Sequence, residues 1–352
     1  MRKILWMTVA IAAVCCAPVA AQHAAFKLNG AEVVAGQKVV GALDVPAGAD
    51  AATQIPIVVV RGAHDGPTLA IVSGAHGTEY ASIITVEKLI GALNPAEISG
   101  TVVLVPVVNH ASFQQKVPHV NPVDGKSMNR FYPGKTDGTQ TERASYVMTH
   151  QVVDQADYLI DLHGGDLDEN LRPYSYWTPV GNEKVDAEAR DLVMAFGLNL
   201  IIIERDFPRD ANASRYLSNT AMTRGKPAVT AEAGFAGTTE TDDIAALERG
   251  CLNVMRRLKM IAGDAPAVEH PVWIEKILTV TSASEGIFYP AVPRGSYVSE
   301  GMVIGRVTNY TNKEIETLRA PAAGVVLYIC AVPSMAAGGT VANIGIVAAK
   351  AP

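Results

Sequence analysis

Cysteine is scarce. The chain has 4 in 352 residues, and Cys15 and Cys16 both lie in its leading segment. Beyond that segment only Cys251 and Cys330 remain, too few for a disulfide framework and without metal-ligand spacing. They fall in stretches of different character, so a bridge and two buried thiols both stay open. No block of basic residues occurs and the formal charge is −6, which argues against nucleic acid as a partner. After the leading segment no apolar run is long enough to span a membrane.

The leading segment has its own pattern. Arg2 and Lys3 precede an apolar stretch from Ile4 to Val14, and Val19-Ala20-Ala21 offers small residues for cleavage before Gln22. This predicts a signal peptide over residues 1–21, too short for a stable membrane span. A lipid anchor on Cys15 is disfavoured, because Val14 stands where a small residue is expected. Cleavage would remove two basic residues and move the charge from −6 to −8. The expected location is the periplasm, or export beyond it.

From residue 22 to about 60 the chain is β-like, with glycines between apolar pairs and a β-branched run, Ile57-Val58-Val59-Val60. Apolar strands then alternate with helical patterns as far as residue 264. The strands are Leu69–Val72, Val102–Val108, Tyr158–Leu162, Leu200–Ile203 and Ala228–Ala231. The helices run roughly 79–93, 140–155, 183–196, 212–224 and 240–260. Such alternation predicts an α/β catalytic domain over 22–264 with a mostly parallel, mixed sheet flanked by helices. Ligands of such sheets gather at the carboxyl ends of the strands. After a linker at Asp264-Ala265-Pro266-Ala267, short strands separated by glycine and proline predict a small all-β domain over 265–352.

The chemistry centres on Ser73-Gly74-Ala75-His76-Gly77-Thr78-Glu79, which closes one buried strand and opens a helix. A histidine and a glutamate three residues apart at a strand end can aim at one point. Together they make most of a catalytic zinc site. Asp161-Leu162-His163-Gly164-Gly165, at the end of another strand, offers the missing histidine. A His-x-x-Glu pair alone is weak, since a helix-entry histidine and a first-turn carboxylate are common by themselves. The second histidine is what makes a metal site the reading.

Gly-x-His-Gly-x-Glu, then Asn129-Arg130-x-x-Pro133-Gly134, then Asp161-Leu162-His163-Gly164-Gly165, then Glu232-Ala233-Gly234, resembles the succinylglutamate desuccinylase/aspartoacylase family. That family belongs to the wider zinc carboxypeptidase-like fold. The resemblance implies one zinc per chain, held by His76, Glu79 and His163 with an open position for water. It implies Glu232 as general base and Asn129 with Arg130 as binders of a substrate carboxylate. Relatives commonly carry an oxyanion-stabilising arginine where this chain has His119, with Lys116 nearby. Either could stand in for it, zinc alone could serve, or the substrate class could differ. Asp161 is a candidate partner for His163. The segments around Tyr297–Gly305 and Arg319–Val326 resemble biotinyl/lipoyl-like barrel-sandwich domains. Lys313 lacks a carrier hairpin, so a structural module beside the site is expected.

The expected activity is zinc-dependent hydrolysis of an amide bond next to a free carboxylate. An N-acyl amino acid is the leading substrate class. A periplasmic metallocarboxypeptidase acting on peptides, cell-wall peptides included, is the rival. A non-catalytic zinc-containing binding module is the third possibility, which a base beside the metal disfavours.

Overall fold

The computed structural model describes residues 23–266 and 268–352, so the expected signal segment lies outside the described residues. A twelve-stranded sheet forms the backbone of the molecule. From one edge its strands are Gln37–Val45, Thr53–Arg61, Ser99–Val105, His64–Val72, Tyr158–His163, Ala228–Phe235, Glu169–Trp177, Leu200–Ile203, Val272–Thr281, Thr340–Val347, Gly324–Cys330 and Tyr297–Val298.

The sheet is mixed as expected, with two parallel groups of strands and antiparallel pairings between and outside them. At the centre Ser99–Val105, His64–Val72, Tyr158–His163 and Ala228–Phe235 run parallel. Glu169–Trp177, Leu200–Ile203 and Val272–Thr281 form a second parallel group, and the strands outside both groups pair antiparallel. Glu169–Trp177 inserts antiparallel beside Ala228–Phe235. Its apolar alternation is broken at Arg172-Pro173, which hid it from the pattern reading.

Helices cover both faces of the centre. Gln140–Gln151 and Leu217–Thr223 pack in the cluster that holds Val72, Val105 and Leu159. Tyr80–Ala92, Glu183–Phe196 and Thr241–Arg257 pack largely in the one that holds Ile71, Leu104 and Val229. Thr241–Arg257 buries Ile244, Leu247, Cys251, Val254 and Met255 along one face. Each full burial of such a side chain is worth roughly 1.5–3 kcal/mol. The same helix opens on Asp242 and Asp243 and closes on Arg256 and Arg257, both favourable to its dipole. The helix expected over 212–224 forms only as Leu217–Thr223, because Arg215 takes a left-handed φ of 72° just before it.

The residues after the linker continue the main sheet. Val272–Thr281 pairs in parallel with Leu200–Ile203, and Gly324–Cys330 pairs with Glu169–Trp177 by way of Tyr328 opposite Leu171. A second sheet, Glu314–Arg319, Val303–Thr308, Gly286–Pro290 and Ser334–Met335, faces these strands across a core of Phe288, Ile304, Val307, Val326, Ile329 and Ile344. Arg294 fastens this module to the helical layer: its Nη2 lies 3.1 Å from Asp243 Oδ2, and its Nη1 donates to Gly234 O at 3.0 Å. Cys251 and Cys330 are both buried free thiols in separate clusters.

Candidate metal centre and active site

The strand ends carry the site. His64–Val72 delivers the chain to a tight turn in which Gly74 has φ +69° and Gly77 lies against the next loop. A Cβ on Gly77 would stand 2.1 Å from Phe113 N. Ser112 Oγ accepts the Gly77 N–H at 2.8 Å and Asn109 N donates to Gly74 O at 2.8 Å, so the turn is pinned. Glu79 occupies the N-cap position of Tyr80–Ala92 without capping it. Its carboxylate instead meets His76 Nδ1 at 2.6 Å through Oε1 and His163 Nδ1 at 2.9 Å through Oε2.

Tyr158–His163 and Ala228–Phe235 are paired so that His163 stands beside Glu232, and Glu232 stands opposite Tyr174 on the other side. One line across three strands therefore carries a candidate ligand, a candidate base and its hydrogen-bond donor. The pairing shifts register between Glu232 and Gly234, an irregularity of the kind that re-aims side chains beside active sites. The sequence-predicted residues His76, Glu79, His119, Asn129, Arg130, His163 and Glu232 all line one cavity of about 520 Å³.

Among the described residues, His76, Glu79 and His163 are the one group of three or more histidine, cysteine or acidic side chains whose ligand atoms converge, within 4.8 Å of one another. Two imidazoles and a carboxylate are a zinc-type donor set. Its surroundings fit a cation. If His163 gives Nδ1 to a metal, Nε2 carries the proton and needs an acceptor. Asp161 Oδ1 lies 3.3 Å from that nitrogen, is buried, and has no hydrogen-bond partner of its own. The Asn129 side-chain amide also lies 2.6 Å from Nε2, and with its oxygen turned to that N–H it would be a second acceptor while lining the cavity. Burial alone would raise the Glu79 carboxyl, but His163 and His76 outweigh it and hold it at about 2.

Glu232 is buried, which raises its carboxyl above the usual range. His163 and a 2.7 Å hydrogen bond from the Tyr174 hydroxyl pull the other way. Arg130 places its guanidinium over the Tyr216 ring, 5.1 Å from the centroid. His119 adopts φ 62° and has both ring nitrogens engaged, Nδ1 3.2 Å from Asp166 and Nε2 3.0 Å from Asp168. The bond to Asp168 and the charge of Asp166 outweigh burial and raise its imidazole to about 9. His119 thus stands in the wall as a cation bound by two carboxylates. His110 is exposed, and His150 pairs with Asp154 at 2.7 Å, both outside the site.

Several cavity residues escape the motif reading: Glu169, Tyr174, Tyr176, Glu204, Tyr328 and Asn343. Glu169 is raised to about 8 by burial and by Glu79 and Glu232 nearby. Glu204 directly follows the strand Leu200–Ile203, so the strand-end logic that found His163 and Glu232 points to it too. Tyr328 and Asn343 come from the C-terminal module, and nothing local in their strands marks them.

The model of the succinylglutamate desuccinylase/aspartoacylase catalytic domain matches residues 65–258. The N-alpha-acetyl-L-2,4-diaminobutyric acid deacetylase of Halomonas elongata is 30% identical over 269 residues, 75% of this chain and 77% of that protein. A succinylglutamate desuccinylase from Silicibacter sp. TM1040 has the same fold, with a TM-score of 0.79 at 22% identity over 90% of this chain and 97% of that one. So does the product-bound ectoine utilization protein EutE (DoeB) of Ruegeria pomeroyi, with a TM-score of 0.79 at 22% identity over 88% of this chain and 95% of that one. The matched domain spans the strands and turns that carry the ligand triad and Glu232, and on this evidence the chain belongs to the succinylglutamate desuccinylase/aspartoacylase family.

Proposed function

We propose that this protein is a zinc-dependent deacylase of small N-acyl amino acids, with one zinc per chain held by His76, Glu79 and His163. The observation that carries the reading is the meeting of both Nδ1 atoms on the Glu79 carboxylate, next to Glu232 in a cavity of about 520 Å³. Zinc bound there supplies a Lewis acid for the acyl carbonyl and makes water a competent nucleophile near neutral pH. Glu232 takes the proton of the attacking water and returns it to the departing amine. Tyr174 holds that carboxylate by one oxygen and leaves the other for the proton. Arg130 anchors the substrate carboxylate, and the Asn129 amide, its oxygen turned to the His163 Nε2–H, helps hold that ring. His119 contributes a fixed positive charge on the cavity wall rather than a free donor.

The deacetylase relative supports the acyl amino acid class. The cavity's size, with Tyr328 and Asn343 of the C-terminal module in its wall, favours a small substrate over a peptide chain. The pattern of residues 1–21 is the support for a periplasmic or secreted location. The test is metal analysis of the protein starting at Gln22, followed by release of amines from a panel of N-acyl amino acids and short peptides. About one zinc per chain with turnover of acyl amino acids is expected. Turnover of peptides alone would assign a carboxypeptidase. Metal with no turnover, unaffected by Glu232→Ala, would assign a binding module. No metal after added zinc would overturn the reading.

A further inference from the structure

The cavity holds more carboxylates than the proposed reaction uses. Glu79 belongs to the triad, Glu232 is the base, and Asp161 lies against His163. Glu169 accepts the Asp166 N–H at 3.0 Å. Glu204 is left over. Its backbone is anchored by a bond from its N–H to Trp177 O at 2.9 Å. One side-chain oxygen, Oε1, accepts the Asp206 N–H at 2.6 Å, which fixes the carboxylate in place. The Arg205 and Asp206 backbone N–H groups are its donors, and among the described residues no lysine, arginine or histidine forms an ion pair with Glu204. Burial pushes its carboxyl up, the neighbouring Asp206 adds to this, and only backbone N–H groups oppose them. A partly buried carboxylate that faces a cavity without a counter-ion is free to pair with a cationic group of a bound molecule. Tyr176 lies on the neighbouring strand opposite Ile202, and Phe207, whose ring has the Arg209 guanidinium 5.5 Å from its centroid, follows on the same loop. Aromatic faces suit an ammonium group.

From this arrangement we infer that Glu204 is the specificity residue for a substrate side chain ending in a primary ammonium. The inference rests on the deacylase reading and extends it. The substrate would then meet three charges: its carboxylate at Arg130, its acyl carbonyl at the zinc that His76, Glu79 and His163 would hold, and its side-chain ammonium at Glu204. The substrate class is an Nα-acyl diamino acid, and the length of the side chain is what the span from triad to Glu204 selects. A neutral side chain of the same length leaves Glu204 unpaired and is discriminated against.

The experiment compares zinc-loaded wild type with Glu204→Gln, Glu204→Ala and Glu204→Asp. The substrates are Nα-acetyl derivatives of 2,4-diaminobutyrate, ornithine and lysine, each beside a neutral side chain of matching length. In wild type one cationic substrate should exceed its neutral match by about ten- to hundredfold in kcat/KM, the worth of one charge-assisted hydrogen bond. In Glu204→Gln and Glu204→Ala that ratio should fall at least about tenfold, mainly through KM, and Glu204→Asp should recover part of it. A structural role would lower both substrates together and leave the ratio intact, which overturns the inference. So does a wild type that prefers neutral or acidic side chains. Absence of turnover on every substrate would count against the deacylase reading alone. Calorimetric binding of free 2,4-diaminobutyrate then decides: affinity reduced about tenfold or more in Glu204→Gln supports the subsite, and equal or absent binding overturns it.

Discussion

Gly165 and Gly234 press their backbones together where two active-site strands end. A Cβ on Gly234 would stand 2.2 Å from Gly165 N, and one on Gly165 would stand 2.5 Å from Gly234 C. Both contacts are to main chain, which cannot swing aside. His163 lies two residues before one glycine and Glu232 two residues before the other, so a forced separation here moves both. Gly234→Ala should cost at least about 1–3 kcal/mol of stability and lower zinc affinity as well as turnover. Thermal melts with and without zinc check the first point, and metal titration checks the second.

Tyr174 is expected to set where Glu232 ionises. Its hydroxyl stabilises the carboxylate form, so Tyr174→Phe removes the hydrogen bond that lowers the Glu232 carboxyl. The carboxyl then moves up, and the acidic limb of kcat/KM shifts to higher pH. Glu232→Gln should lower kcat by about 10²–10⁴-fold while zinc stays bound. A Tyr174→Phe profile that is unshifted, or shifted to lower pH, would contradict this assignment.

Arg294 and Asp243 make the firmest link between the module and the helical layer. Asp243 is 2% exposed, so removing its partner strands a buried charge. Arg294→Met should destabilise by about 3–5 kcal/mol, and Asp243→Asn in the same chain should recover part of that loss. Chemical denaturation of the two single variants and the double variant gives the coupling directly.

Glu142 sets an acid sensitivity away from the site. It closes a capping box with Thr139 and bonds Lys126 Nζ at 2.9 Å. Burial would raise its carboxyl, but Thr139 and Lys126 hold it at about 2 instead of 4.5. A depressed carboxyl stabilises the fold fully above its unfolded value and loses that contribution as pH falls from 4.5 towards about 2. Glu142→Gln should therefore cost about 1 kcal/mol near neutral pH and flatten the stability profile over that window. Denaturant midpoints measured from pH 6 to pH 2 test it.

The sequence made the centre of this protein legible because its strands are short apolar runs that each end in a reactive residue. His76, Glu79, His163 and Glu232 were all found that way, and the structure brings them to one cavity. Glu169–Trp177 stayed hidden because Arg172-Pro173 interrupts its alternation, and Tyr174 was hidden with it. Tyr328 reaches the cavity by pairing with Leu171, far back in the chain, and Asn343 by pairing with Tyr328, a relationship no local period encodes. His119 was found by position, but its two carboxylate partners were not, so its commitment to Asp166 and Asp168 emerged only in three dimensions.

Because Gly324–Cys330 and Thr340–Val347 complete the cavity wall, its assembly has a clock. During synthesis the triad and Glu232 are on hand long before Tyr328 and Asn343 have been made. A chain that ends before residue 324 would carry the triad, Glu232, Arg130 and Glu204 but lack the part of the cavity wall that Tyr328 and Asn343 supply.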